Sequence, residues 1–273
     1  MLETLREMLS YTFLTRALLV GSLVSLCSAL LGVTLVLKRY SMIGDGLSHV
    51  GFGALAVATV LNAAPLSVAI PVVVAAAFLL LRISSGGKIK GDAAIGLIST
   101  CSLAIGVILI SLSTGMNTEV NNYLFGSILS MSGEDVLLSA AIALVVLVLF
   151  FLFYNRIFAV TFDETFARAT GVRAGAYNAL ISLLTALTIV VGMRMMGSML
   201  ISGLLIFPAL SAMRLCKCFR SVIIIAAVLS ICCFFLGTLA SYLLAVPTGA
   251  SVICANLIVL LVFTAIGRLR LGE

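Results

Sequence analysis

Long runs of apolar residues, broken by short clusters of charge, glycine or proline, organise this chain. Nine runs, at 13–37, 43–61, 65–81, 93–112, 136–154, 174–191, 197–213, 221–245 and 249–266, have the roughly 17–25 residues that a helix needs to cross a bilayer. They are apolar throughout, whereas the strands of a membrane barrel alternate over about ten residues. Backbone groups in lipid must be satisfied within the segment, so the runs predict α-helices. The weakest is 43–61, which holds Asp45, His49 and several glycines. Eight spans plus one broken or re-entrant segment is the alternative count. The whole chain, 1–273, reads as one transmembrane domain, with residues 1–12 a short amphipathic lead-in on the membrane surface.

Two connections exceed what a hairpin needs. Residues 114–135 carry Asn117, Glu119, Asn121, Asn122, Glu134 and Asp135 without Lys or Arg. Within them, 123–129 (Tyr-Leu-Phe-Gly-Ser-Ile-Leu) is apolar enough to dip into the membrane as a half-helix. In 155–173, Thr161 and Glu164 have the spacing of a capping box, with Thr161 as N-cap, and Gly171 suits a left-handed helix end. Phe162, Phe166 and Ala169 fall on one face, with Asp163, Glu164 and Arg168 around it. This short helix either stabilises its own loop or docks a partner.

Composition narrows the class. The chain is 63% hydrophobic and 10% charged, with mean hydropathy +1.31. Soluble domains carry about 45–50% apolar and about 25% charged residues, so a soluble enzyme, a disulfide scaffold and a disordered chain are excluded. The net charge of +6 does not indicate nucleic acid. Thirteen of the sixteen basic residues follow spans one, three, five, seven and nine, and the positive-inside rule then puts the N-terminus outside and the C-terminus in the cytoplasm. The seven cysteines, mostly in apolar runs, read as small buried hydrophobes. Cys216 and Cys218 lack zinc spacing and a second pair.

His49 is the one histidine in the chain, four residues after Asp45, and positions i and i+4 share a helix face. An ionisable side chain inside a membrane span is a candidate functional group. One carboxylate and one imidazole suit Zn²⁺, Mn²⁺ or Fe²⁺. Two ligands make no tight site, but a homodimer would bring a second pair to its axis, and loose coordination suits an ion that must leave again. The alternative is Asp45 as a helix cap and His49 as a core histidine. Gly44, Gly46, Ser48, Gly51 and Gly53 permit close helix approach in either case. Arg194, in the outer turn 193–196, reads as structural. Pro208 is expected to break span seven, a device found beside transport pathways.

Enzymatic chemistry finds no support. Gly87-Lys88 is followed by Ile89 where a phosphate loop needs Ser or Thr. Gly46-Leu47-Ser48-His49-Val50 lacks the last glycine of a nucleophile elbow, and Ser48 and His49, as helix neighbours, point about 100° apart. A gradient-driven carrier would show more intramembrane carboxylates. Energy for active transport would come from a separate ATPase.

Gly44-Asp45-Gly46-Leu47-Ser48-His49 and the small-residue helix after it resemble the permeases of metal-type (zinc, manganese and iron) ATP-binding-cassette importers. Four further stretches are similar to that family in order: 123–129, 162–171 (Phe-Asp-Glu-Thr-Phe-Ala-Arg-Ala-Thr-Gly), 200–209 (Leu-Ile-Ser-Gly-Leu-Leu-Ile-Phe-Pro-Ala) and 247–250 (Pro-Thr-Gly-Ala). The resemblance implies the all-α vitamin-B12/metal-type importer fold, in the plasma membrane of a bacterial cell, as a homodimer. It implies two copies of an ATPase subunit, which carry the ATP, and an extracellular metal-binding protein. No cofactor is held permanently. Asp45 and His49 match the transient metal positions. Phe162, Asp163, Glu164, Phe166, Arg168 and Gly171 match the ATPase-coupling segment, and Ser202 and Pro208 lie in the proline-bearing helix beside the pathway. Overall likeness leans to zinc as cargo, with manganese close behind.

Overall fold

The computed structural model describes residues 12–86, 91–113, 124, 126 and 133–271. Among them there is no strand, and the described residues form eleven helices. In order these are α1 (Thr12–Leu37), α2 (Ile43–Val60), α3 (Pro65–Gly86), α4 (Gly91–Ser113), α5 (Gly133–Leu152), α6 (Tyr154–Phe162), α7 (Glu164–Ala169), α8 (Ala174–Met196), α9 (Ser198–Leu215), α10 (Phe219–Leu244) and α11 (Thr248–Leu271). The lead-in, apart from Thr12, and the 123–129 half-helix with most of loop 114–135 lie outside the described residues. Of that loop, Leu124 packs against Phe52 and Ile110.

The all-α polytopic architecture is the one the apolar runs predict. Eight described helices are long and apolar enough to span a bilayer. The 43–61 span, the weakest in the sequence, keeps the lowest hydropathy of the eight, yet it forms a continuous helix, α2, that is among the most buried. α9 has eighteen residues, as many as α2, and at about 1.5 Å per residue each covers roughly 27 Å. The α2 glycines explain why a glycine-rich segment stays helical. Gly44 faces Ser202 and Leu205 of α9, Gly46 faces Ile95 of α4, Gly51 faces Met193 of α8, and Gly53 faces the Ser102 carbonyl. A small residue at each contact lets neighbouring helices close around α2.

Contacts fix the relative depths. Antiparallel α1 and α8 meet at Val24 and Gly192, and again where Lys38 reaches Asn178. From Val24 to the start of α1 is twelve residues, about 18 Å, whereas α8 continues past Gly192 for only four, about 6 Å. The reversal at Gly197 (φ +87°) therefore sits about 12 Å short of the α1 terminus. Because α8 runs to Met196, Arg194 lies in a helix, not in the outer turn expected for it. The start of α2 is also recessed: with Gly51 beside Met193, His49 lies within about 3 Å of the level of Val24, the midpoint of α1.

Candidate functional site

Asp45 and His49 point from one face of α2, with Asp45 Oδ1 and His49 Nε2 3.6 Å apart. His49 is buried and the Asp45 side chain is 40% exposed. The depths above put His49 near the middle of the span and Asp45, in the first turn of α2, about 6 Å nearer the start of that helix. Asp45 caps nothing: the helix has no side-chain cap, and its carboxylate accepts a long hydrogen bond (3.4 Å) from the Ser202 hydroxyl of α9. Ser48 donates instead to the Asp45 main-chain carbonyl, 2.8 Å. His49 Nδ1 is buried without a hydrogen-bond partner among the described residues. A cation about 2.1 Å from both Oδ1 and Nε2 would subtend roughly 118° between them, compatible with two adjacent coordination positions. No group of three or more metal-ligating side chains exists among the described residues, so one chain offers two donors and the Ser202 hydroxyl.

Ser202 joins the pair in space although 157 residues separate it from Asp45. Pro208 does not break its helix: α9 runs unbroken through it. The ring removes the bond to the carbonyl four residues back and crowds that carbonyl, and the helix continues past it. One turn earlier on the same helix, the Leu205 carbonyl presses on Gly32 of α1, where an added Cβ would come within 1.9 Å of the oxygen. α1 and α9 thus meet backbone to backbone.

Arg194 pairs with Asp135 in the first turn of α5 at 2.8 Å, with side chains 9% and 20% exposed. The pair ties α5 to α8 near the recessed turn, a structural role as expected. Sequence offers no signal for the partner, which lies 59 residues away.

The 155–173 segment forms two helices. The expected Thr161 cap is incorrect: Thr161 is inside α6 and donates to the Ile157 carbonyl at 2.7 Å. The N-cap of α7 is Asp163, extended at φ −146° and ψ 97°, whose Oδ1 accepts the Phe166 amide at 2.9 Å. A carboxylate three residues before a free amide outcompetes a hydroxyl already engaged in the preceding turn. Gly171 ends the segment in the left-handed region, φ +83°. Phe162, Phe166 and Ala169 are exposed, and Phe162 stacks with Phe158 and Phe219.

Freed from the cap, Glu164 turns toward the helical bundle. It pairs with Arg168, accepts from Asn178 Nδ2 at 2.9 Å, and lies 3.7 Å from Lys38 Nζ. The Asn178 hydrogen bond first, with Arg168 and Lys38, holds its carboxyl below the usual range against the opposing effect of burial. Burial pushes the Lys38 ammonium down, and Glu164 counters this. Lys38 and Asn178 are the residues that sequence reasoning missed. In the sequence, Lys38 counts only as one cytoplasmic charge.

Known proteins of the same shape and sequence pattern exist. The profile of the ABC 3 transport family matches residues 10–267. A manganese transport system membrane protein, MntC, of Halalkalibacterium halodurans is 29% identical over 90% of this chain and 85% of its own length. A Haemophilus influenzae protein named "Probable iron transport system membrane protein" is 33% identical over 96% of this chain and 93% of its own. The solved PsaBC complex of Streptococcus pneumoniae, bound to a Fab, contains a chain with a TM-score of 0.86 at 28% identity, covering 96% of this chain and 94% of that one.

Proposed function

The chain belongs to the ABC 3 transport family and is a metal-type importer permease, and from that premise we propose that it carries manganese or iron into the cell through Asp45 and His49. The observation that carries the site is the pair itself, inside the span: an oxygen and a nitrogen donor 3.6 Å apart, with a third polar group, Ser202, on a second helix. Ionisable groups inside a membrane span are costly without a partner ion, and the unpartnered Nδ1 of the buried histidine adds to that cost.

The zinc reading from sequence likeness gives way to manganese or iron, because those are the metals in the names of the relatives above. Carboxylate and hydroxyl oxygens beside one imidazole are compatible with both. Two copies of the permease would bring four donors to a shared axis. Two ATPase subunits would bind the cytoplasmic face, with Phe162, Asp163, Glu164, Phe166, Arg168 and Gly171 forming the coupling surface. A metal-binding protein would deliver the ion from outside. The orientation is N-terminus out and C-terminus in, in a bacterial plasma membrane. In this arrangement ATP closes and opens the ATPase pair, and the permease alternates its access around the Asp45–His49 level. Pro208 sits on the helix that presents Ser202, so a shift of α9 changes what Asp45 can hold.

The test is uptake of Mn²⁺, Fe²⁺ and Zn²⁺ into liposomes holding the permease with its ATPase and delivery protein. Wild type is expected to accumulate manganese or iron only with ATP, and His49→Ala and Asp45→Ala to assemble normally and lose uptake. Unimpaired uptake in both variants would remove the metal site from this pair.

A further inference from the structure

We propose that Lys38 is the positioning residue that ties the ATPase-coupling segment to the metal level of the bundle. The inference rests on the importer reading above and adds to it the route by which motion passes inward. Lys38 follows the last residue of α1. Its ammonium donates to the Val160 carbonyl in the last turn of α6 (3.1 Å) and to Asn178 Oδ1 of α8 (2.7 Å), and faces Glu164 Oε2 at the start of α7 (3.7 Å). Its side chain is 9% exposed. Asn178 closes the ring by donating to Glu164 at 2.9 Å. Four elements therefore meet at one buried cation, and two of them, α6 and α7, make up the coupling segment.

From Lys38, α1 leads back to the metal level. Gly32, six residues before Lys38, lies against the Leu205 carbonyl with no side chain between the backbones. A contact of this kind transmits displacement because neither partner has a rotamer to yield. On the same helix Ser202 donates to Asp45. The chain of contacts runs from α7 through Glu164, Lys38, α1, Gly32 and α9 to Asp45, each link being a hydrogen bond, an ion pair or close packing. Beside the knot is a small, mostly apolar cavity lined by Leu35, Lys38, Tyr40, Ile43, Ile95 and Asn178. A charged tie suits this role because a buried ammonium that loses its hydrogen-bond partners is strongly unfavourable, so the groups that hold Lys38 move with it.

The experiment uses the permease reconstituted with its ATPase and delivery protein, and measures metal transported per ATP hydrolysed. Lys38→Met keeps the unbranched stem, one atom shorter, and removes the charge. It is expected to copurify with the ATPase and hydrolyse ATP within about twofold of wild type, while metal per ATP falls at least tenfold. Lys38→Arg is expected to restore more than half of the ratio. Asn178→Leu, which removes the bridge and leaves the cation its Val160 and Glu164 partners, is expected to show the same loss, and it decides the matter if Lys38→Met does not fold. A purely structural lysine would lower the yield of complex and leave metal per ATP unchanged; that result, or a wild-type ratio in Asn178→Leu, would overturn the proposal. Wild-type complex without ATP-dependent uptake would instead refute the importer reading.

Discussion

Replacing Gly32 with Ala tests the backbone contact between α1 and α9 most directly. An ideal Cβ at position 32 falls 1.9 Å from the Leu205 carbonyl oxygen and 2.8 Å from its carbon. Carbon–oxygen contacts settle near 3.3 Å, so the two helices must separate by about 1.4 Å at this point. The obstacle is main chain, so no rotamer change relieves it. Overpacking of one methyl group in a close-packed interior costs about 1–3 kcal/mol, and here it also pulls Ser202 away from Asp45. The variant is expected to unfold in detergent with that loss of stability and to transport less metal per ATP. Gly96→Ala is the control, because nothing lies within 4 Å of a Cβ there; it is expected to match wild type or gain slightly from the higher helix propensity of alanine. Wild-type stability in Gly32→Ala would show that α1 and α9 do not meet backbone to backbone.

Arg194→Met leaves Asp135 without its guanidinium and is expected to cost about 2–3 kcal/mol in detergent unfolding, the low end for a broken ion pair because Asp135 keeps some exposure; the double variant with Asp135→Asn should recover at least half of the loss, and additive losses would count against the pair. Glu164 has a folded pKa below its unfolded one, so its contribution is complete above the ordinary carboxylate range and disappears as pH falls through the lowered value. A spin label at position 165 is expected to be equally immobile at neutral and mildly basic pH and to gain mobility only in strong acid, with Glu164→Gln removing that dependence; mobility that rises instead between pH 6 and 8 would contradict it. With the native cysteines replaced, a cysteine at Asn121 should react with an impermeant maleimide applied to intact cells and one at Thr165 should not; the reverse pattern would invert the topology.

The spans were legible because burial in lipid demands continuous apolar helices, and the nine runs correspond to nine long helices among the described residues, with small shifts at their ends. Asp45 and His49 were legible as a pair because helical spacing is local. What failed were statements that depend on tertiary competition. The Thr161–Glu164 pattern is a valid capping box in isolation, but Asp163 caps better once Glu164 has Lys38 and Asn178 to bind. Pro208 signalled a break, yet packing on both sides holds α9 helical through it despite the roughly 3 kcal/mol that an interior proline costs. Ser202, Lys38 and the Arg194–Asp135 pair join residues dozens to more than a hundred positions apart, and a single sequence contains no record of such contacts. The depth of α2 was equally hidden, since span lengths say nothing of how far one helix sits below another.

The recessed α8–α9 turn bears on the energy of an ion in transit. The first amides of α9 have no partners within the helix, and hydrocarbon around such groups costs several kcal/mol each. The space above the turn is therefore filled by protein or water and not by lipid tails. Water reaching this depth would carry the hydrated cation about 12 Å inward before it gave up any of its shell. The stretch that it must cross dehydrated then shrinks to little more than the length of α9 between the turn and the cytoplasmic face. The same amides present the positive end of a helix dipole to the arriving cation, and the Arg194–Asp135 pair at that level, with no net charge, leaves that end of the dipole uncompensated.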